Sequence, residues 1–87
     1  MNGAVYLVRF NPARNVRRFY KLFLAPSLFG DWVLVREWGR IGAGGTVKLD
    51  HFAHAGAALL ALQELVRRKK REGYFPVREQ PADQEYT

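Results

Sequence analysis

The chain has 87 residues, 48% of them hydrophobic and twelve aromatic, enough for one core above the roughly 40-residue size at which staples become necessary. It holds no cysteine, which excludes disulfides, thiolate metal sites and cysteine nucleophiles. Fourteen Lys and Arg outnumber eight Asp and Glu for a net charge of +6, a sign of field that attracts polyanions and says nothing of fold.

That charge is unevenly placed. Residues 1–75 carry 13 Lys/Arg against 5 Asp/Glu, while residues 76–87 carry Arg78 against Glu79, Asp83 and Glu85. The N-terminus has no basic region leading into a long apolar stretch and so does not read as a signal peptide. No run approaches the roughly 18 apolar residues of a membrane span. A soluble, cytoplasmic protein with no membrane partner is the expectation.

In chain order, Ala4–Phe10 (AVYLVRF) is β-branched and aromatic and ends at the turn pair Asn11-Pro12, which predicts a first strand. Val16–Leu24 (VRRFYKLFL) interleaves cations with aromatics, the pattern of a strand with one wet face. Residues 26–31 (PSLFGD) have turn chemistry, but Leu28 and Phe29 are expected to fold back on the core as a plug. Trp32–Arg40 and Thr46–Phe52 predict two further strands joined as a hairpin through the glycine-rich residues 41–45. From about Ala53 to Glu72 the composition becomes alanine, leucine and basic residues, a helix of about 20 residues with Gly73 just past its end. Ala58, Leu62 and Leu65, with Leu59 and Val66 beside them, form its apolar stripe. Its N-terminal cap is poor, with Ala53 and His54 where serine or aspartate would be preferred.

The fold class that follows is α+β: an antiparallel sheet of about four strands with one long C-terminal helix packed on one face. One domain spans residues 1–75, and residues 76–87, with two prolines and few apolar side chains, are expected to be a flexible tail.

Nothing in the residue inventory reads as an active site. The only serine is Ser27, and no Ser/His/Asp order or carboxylate pair emerges, so the chain reads as no enzyme and needs no cofactor. Asp50, His51 and His54 lack a further strong ligand nearby and read as surface or capping residues, with no metal site. The glycines at 42, 44 and 45 fail both phosphate-binding patterns, because Val47 opens a strand where a helix should begin. The run Arg67-Arg68-Lys69-Lys70-Arg71 spans more than one helical turn and suits the helix dipole whether or not it binds anything.

The end of the third strand is more informative. Residues two apart share a face, so Arg36, Trp38 and Arg40 project together, an indole flanked by two guanidiniums. Aromatic stacking on a base is worth roughly 1–3 kcal/mol and arginine adds charge, the means of gripping a nucleic-acid strand or end. Gly39 beside the indole permits close approach of another backbone or of a ligand.

At Trp38-Gly39-Arg40 the sequence resembles the WGR domain. Phe19-Tyr20, Leu28-Phe29-Gly30, the strand 32–40 running into Ile41-Gly42, Phe52 and the basic helix ending at Gly73-Tyr74 fall in that family's order over residues 5–75. The resemblance implies a sheet with one helix packed on it. In poly(ADP-ribose) polymerases such a domain binds DNA ends, its tryptophan packing on the end nucleotide and its arginine joining DNA to neighbouring domains; by resemblance Trp38 and Arg40 inherit those roles. The 87 residues contain no zinc-finger, helical regulatory or ADP-ribosyltransferase segment, as in stand-alone bacterial members.

The expected function is therefore a non-catalytic nucleic-acid-binding module, for DNA rather than RNA, preferring ends or distorted sites with little sequence specificity. The expected contacts are Trp38, Gly39, Arg40, Arg36, Lys48 and Arg67. The competing class is a protein-interaction adaptor using the same Trp/Arg surface, since both residues are also interface hot spots. The chain is expected to be a monomer or weak homodimer.

Overall fold

The structure, a computed structural model, describes residues 3–78. Its order is β1 (Val5–Asn11), a 3-10 turn (Pro12–Arg14), β2 (Val16–Pro26), β3 (Trp32–Arg40), β4 (Thr46–Phe52), α1 (Ala55–Arg71) and β5 (Phe75–Val77). The strands form one antiparallel sheet in the order β4-β3-β2-β1-β5. The α+β reading stands. The sheet has five strands rather than about four, and α1 is followed by β5 instead of closing the chain.

The fifth strand has a geometric cause. After β4 the chain stands at one edge of the sheet, and a 17-residue helix reaches about 25 Å. Four inter-strand spacings come to roughly 19 Å, so α1 crosses the whole sheet and delivers Phe75–Val77 to the far side of β1. Pro76, which lacks an N–H, is tolerated because β5 is an edge strand. Residues 76 and 77, assigned to the tail from sequence, are thus paired strand residues; the expected tail from 79 onward lies outside the described residues.

Alternation sorts the sheet into two faces. On one, Leu7, Leu22 and Leu34 are fully buried beneath Leu62, Leu65 and Ala58 of α1, with Tyr20 and Tyr74 closing the end of that core. Of the two residues expected beside the helix stripe, Val66 packs against the core and Leu59 is 45% exposed, while Ala61 packs there as well. The N-terminal end of α1 has no side-chain cap at His54, as the sequence suggested. Its C-terminal end is a Schellman motif: Gly73 at φ +102 donates to the Lys70 carbonyl at 3.1 Å, and Tyr74 donates to the Lys69 carbonyl at 3.0 Å. That motif turns the chain sharply enough to seat Tyr74 in the core.

The expected plug does not form. Leu28 and Phe29 are 97% and 92% exposed at the tip of the β2–β3 hairpin, where the Ser27 hydroxyl bonds the Asp31 carboxylate and the Phe29 amide. The tight turn is closed by backbone bonds between Ser27 and Asp31 and between Gly30 and Ser27, which leaves Leu28 and Phe29 projecting from its outer side.

On the other face, Phe19 is 4% exposed without any helix above it. It fills a notch made by two glycines. A methyl group on Gly39 would stand 3.2 Å from the Gly45 Cα and 3.5 Å from the Phe19 ring. One on Gly45 would stand 2.9 Å from Phe19 and 3.0 Å from the Trp38 carbonyl. The close approach that Gly39 permits is therefore to the chain's own β3–β4 loop. Gly45→Ala is expected to destabilise the protein by about 1–3 kcal/mol in urea unfolding. Gly44→Ala, with nothing within 4 Å of the added carbon, should stay within about 0.5 kcal/mol of the parent.

Candidate nucleic-acid interface

The register between strands builds the site. Tyr20 pairs with Trp38, Arg18 with Arg40 and Leu22 with Arg36 across β2–β3, while Arg9 pairs with Arg18 across β1–β2. All of these lie on the helix face. The consequence is a row of three guanidinium-bearing residues, Arg9, Arg18 and Arg40, across three adjacent strands, next to a row in which Trp38 stands against Tyr20. Like charges directly opposite in a sheet are unfavourable. Such a row is a feature that a polyanion would relieve.

The aromatic row is ordered by its own contacts. Tyr20 and Trp38 stack at 5.5 Å between centroids with planes 9° apart, and Tyr74 meets Tyr20 edge-on at 6.2 Å. Lys69 places its ammonium 4.7 Å from the Tyr20 ring and 5.6 Å from that of Tyr74. Between this row, the arginines and the last turn of α1 opens a cavity of about 420 Å³, lined by Arg9, Arg18, Tyr20, Arg36, Trp38, Arg68, Lys69, Glu72 and Tyr74. Five cations face it against the single carboxylate of Glu72, which pairs with Lys69 at 3.1 Å. A cleft walled by one sign of charge beside an apolar floor concentrates an anionic ligand.

The residues expected from sequence fare differently. Trp38 is half-buried and lines the cavity. Arg36 lines it too, with its guanidinium 5.6 Å from the Trp38 ring centre, and is held from behind. It donates to the Tyr20 hydroxyl at 3.2 Å and to Asp50 at 3.4 Å, while its Nε lies 2.8 Å from the other Asp50 oxygen as an ion pair without hydrogen-bond alignment. Burial works against its charge, but the Tyr20 hydroxyl and the Asp50 carboxylate outweigh it and raise its pKa further. Arg40 turns aside to the first turn, donating to the Asn15 carbonyl at 3.1 Å and to the Asn15 side chain at 2.9 Å. That bond anchors Asn15, a non-glycine residue at φ 57. Lys48 is exposed on β4, opposite Arg36 in the register. Gly39 lies against the β3–β4 loop and the Phe19 ring on the face away from the cavity.

Arg67 is exposed and bonded to Glu64, whose carboxyl its guanidinium holds below the ordinary value. Instead of Arg67, Arg68 and Lys69 face Trp38's cavity. The signal was available: Lys69 continues the buried series Ala58, Leu62 and Leu65 at helical spacing, a cation set in an apolar stripe. Arg9 and Arg18 carried no such local mark and emerge only from strand register. Asp50 and His51 point to opposite faces of β4, Asp50 to Arg36 and His51 to Asp31 at 3.1 Å, so they do not converge on a metal. The Asp31 carboxyl is held below its usual value by the Ser27 hydroxyl and then by His51.

With this geometry in view, comparison with known proteins is decisive. The family model of the WGR domain matches residues 3–81. The chain belongs to the WGR family. A relative, the uncharacterized protein y4dW of Sinorhizobium fredii, is 40% identical over 72 residues, which is 83% of this chain and 35% of that protein. The chain thus spans about a third of the length of the curated relative it matches. No solved structure gives a significant match.

Two outcomes follow for this WGR site. Arg18→Gln should raise thermal stability at low ionic strength by about 0.2–1 kcal/mol through relief of the arginine row, a gain that added salt erases. Asp50→Asn should lower stability by about 1 kcal/mol by removing the Arg36 partner and at the same time tighten binding to heparin, since a guanidinium is released to the cavity.

Proposed function

We propose that this WGR chain is a non-catalytic DNA-binding module that grips duplex ends and distorted sites with little sequence specificity. One observation carries this reading: Arg9 and Arg18, in one cross-strand row with Arg40, lie directly beside the stacked Tyr20–Trp38 pair and share its cavity with the basic end of α1. An aromatic floor offers packing to a base or sugar laid bare at an end, and the cations around it take the adjoining phosphates. Continuous duplex exposes phosphates but no free base face, so it would engage the cations alone.

Trp38 packs on the terminal nucleotide in this reading. Arg9, Arg18, Arg36, Arg68 and Lys69 supply charge, with Lys48 extending the basic surface along β4. Arg40 acts mainly by holding Asn15 and the first turn beside the site. Cations that meet phosphates engage a backbone that is the same in every sequence, which supports low sequence specificity.

Fluorescence anisotropy with labelled hairpin duplexes tests the proposal. Trp38→Ala should weaken binding to a blunt or overhanging end roughly tenfold more than binding to a closed, end-free duplex. With about three phosphates neutralised, log affinity should fall against log salt with a slope near −3, and Arg18→Gln should reduce that slope by about one. Equal loss on both substrates would overturn the preference for ends, and no binding at low salt would overturn the function.

A further inference from the structure

The face of the sheet away from α1 is unlike that of a solvated antiparallel sheet, in which alternate positions are polar. Phe10, Val47, Leu49 and Phe75 are each about half exposed there, at 51%, 58%, 54% and 48%, beside the partly buried Tyr6 and Phe23. Among the described residues no element covers them. In the middle stand two opposite charges, Lys21 on β2 and Glu37 on β3, direct partners across the strand pair. The Lys21 ammonium is set between two rings, 5.5 Å from that of Tyr6 and 5.6 Å from that of Phe23. Among the described residues no cation lies within ion-pair distance of the Glu37 carboxylate.

We propose that this face is where two copies of the chain associate, as a two-fold sandwich in which Lys21 of each copy meets Glu37 of the other. The register makes the face self-complementary. A two-fold axis running parallel to the strands between β2 and β3 lays each cross-strand row onto itself in reverse. Lys21 then lies over Glu37, Tyr6 over Val47 and Phe23 over Val35. Any acidic partner would satisfy Lys21 but leave Glu37 opposed; a second copy satisfies both.

The area fits a modest dimer. The four strands β1–β4 that overlap about this axis, about 4.8 Å apart and about seven residues long, make a face of roughly 15 by 23 Å with β5 beyond it, which places the association in the class of small, weak interfaces. The helix sides then point outward on the two outer surfaces. Each dimer carries two basic cavities back to back and would bridge two DNA ends, a consequence that rests on the function proposed above. Association itself does not, and is measured without nucleic acid.

Sedimentation equilibrium of the 87-residue chain should show a monomer–dimer equilibrium with a dissociation constant on the order of 10 µM. Leu49→Lys, at an exposed position where folding is not at stake, should weaken it at least tenfold. Lys21→Glu and Glu37→Lys should each weaken it similarly, and an equimolar mixture of these two variants should recover a heterodimer of nearly parental affinity. Circular dichroism confirms that each variant is folded. A chain that stays monomeric to about 500 µM overturns the proposal. So does a dimer indifferent to all three substitutions, which would point to pairing along the β4 edge, and so does a mixture that fails to associate. Loss of DNA binding with the dimer intact would overturn the functional reading alone.

Discussion

Phe19 packs into the notch left by Gly39 and Gly45, and the alignment of the helix-side face depends on that fit. An antiparallel pair that slips by one residue turns every side chain to the other face. The ring can enter only where Gly39 on β3 and Gly45 in the β3–β4 loop both stand beside it, so the notch favours the register of β2 against β3 that sets Tyr20 opposite Trp38 and Arg18 opposite Arg40. The stack, the arginine row and the cavity all follow from this alignment. The Trp-Gly-Arg triplet therefore divides its labour between faces: Trp38 and Arg40 project toward the helix side, while Gly39 is shaped for the opposite one.

Electrostatics in the site run against folding and in favour of a ligand. Arg9 and Arg18 are direct neighbours across β1–β2 in one row with Arg40, and the helix end adds Arg68 and Lys69 to the space that Arg9 and Arg18 face. Two devices contain the cost. Asp50 neutralises the most enclosed cation, Arg36, from the side away from the cavity, and Lys69 lies over the faces of Tyr20 and Tyr74. The remaining arginines keep their charge toward solvent. Excess positive potential of this kind speeds encounter with a polyanion and weakens steeply with salt.

The outward-facing side of the sheet raises a separate question of packing. Domains of this size are built from two layers, and here the second face carries apolar side chains as if a third layer were due. The pair of opposite charges in its centre distinguishes it from a failed core, because a buried core would have no use for Lys21 and Glu37. An interface does, since charges that pair only across it fix orientation.

The elements and the family were legible in the order of residues alone. Strand alternation, the Asn11-Pro12 turn, the glycine hairpin and the stop at Gly73 are local signals, each set by backbone sterics or by the period of burial, and they placed four strands and the helix within about two residues of their observed ends. Trp38 and Arg36 were legible for the same reason, as residues two apart on one strand. What faced them depended on contacts between elements far apart in the chain. Arg9 and Arg18 come to the cavity through pairing between strands, and Arg68 and Lys69, rather than Arg67, face it through the rotation of α1 on the sheet. Leu28 and Phe29 stay in solvent because the turn that carries them is closed by its own hydrogen bonds, and β5 exists because the helix is long enough to reach the far edge. None of these outcomes is written within a few residues of itself; each depends on distances set by the rest of the fold.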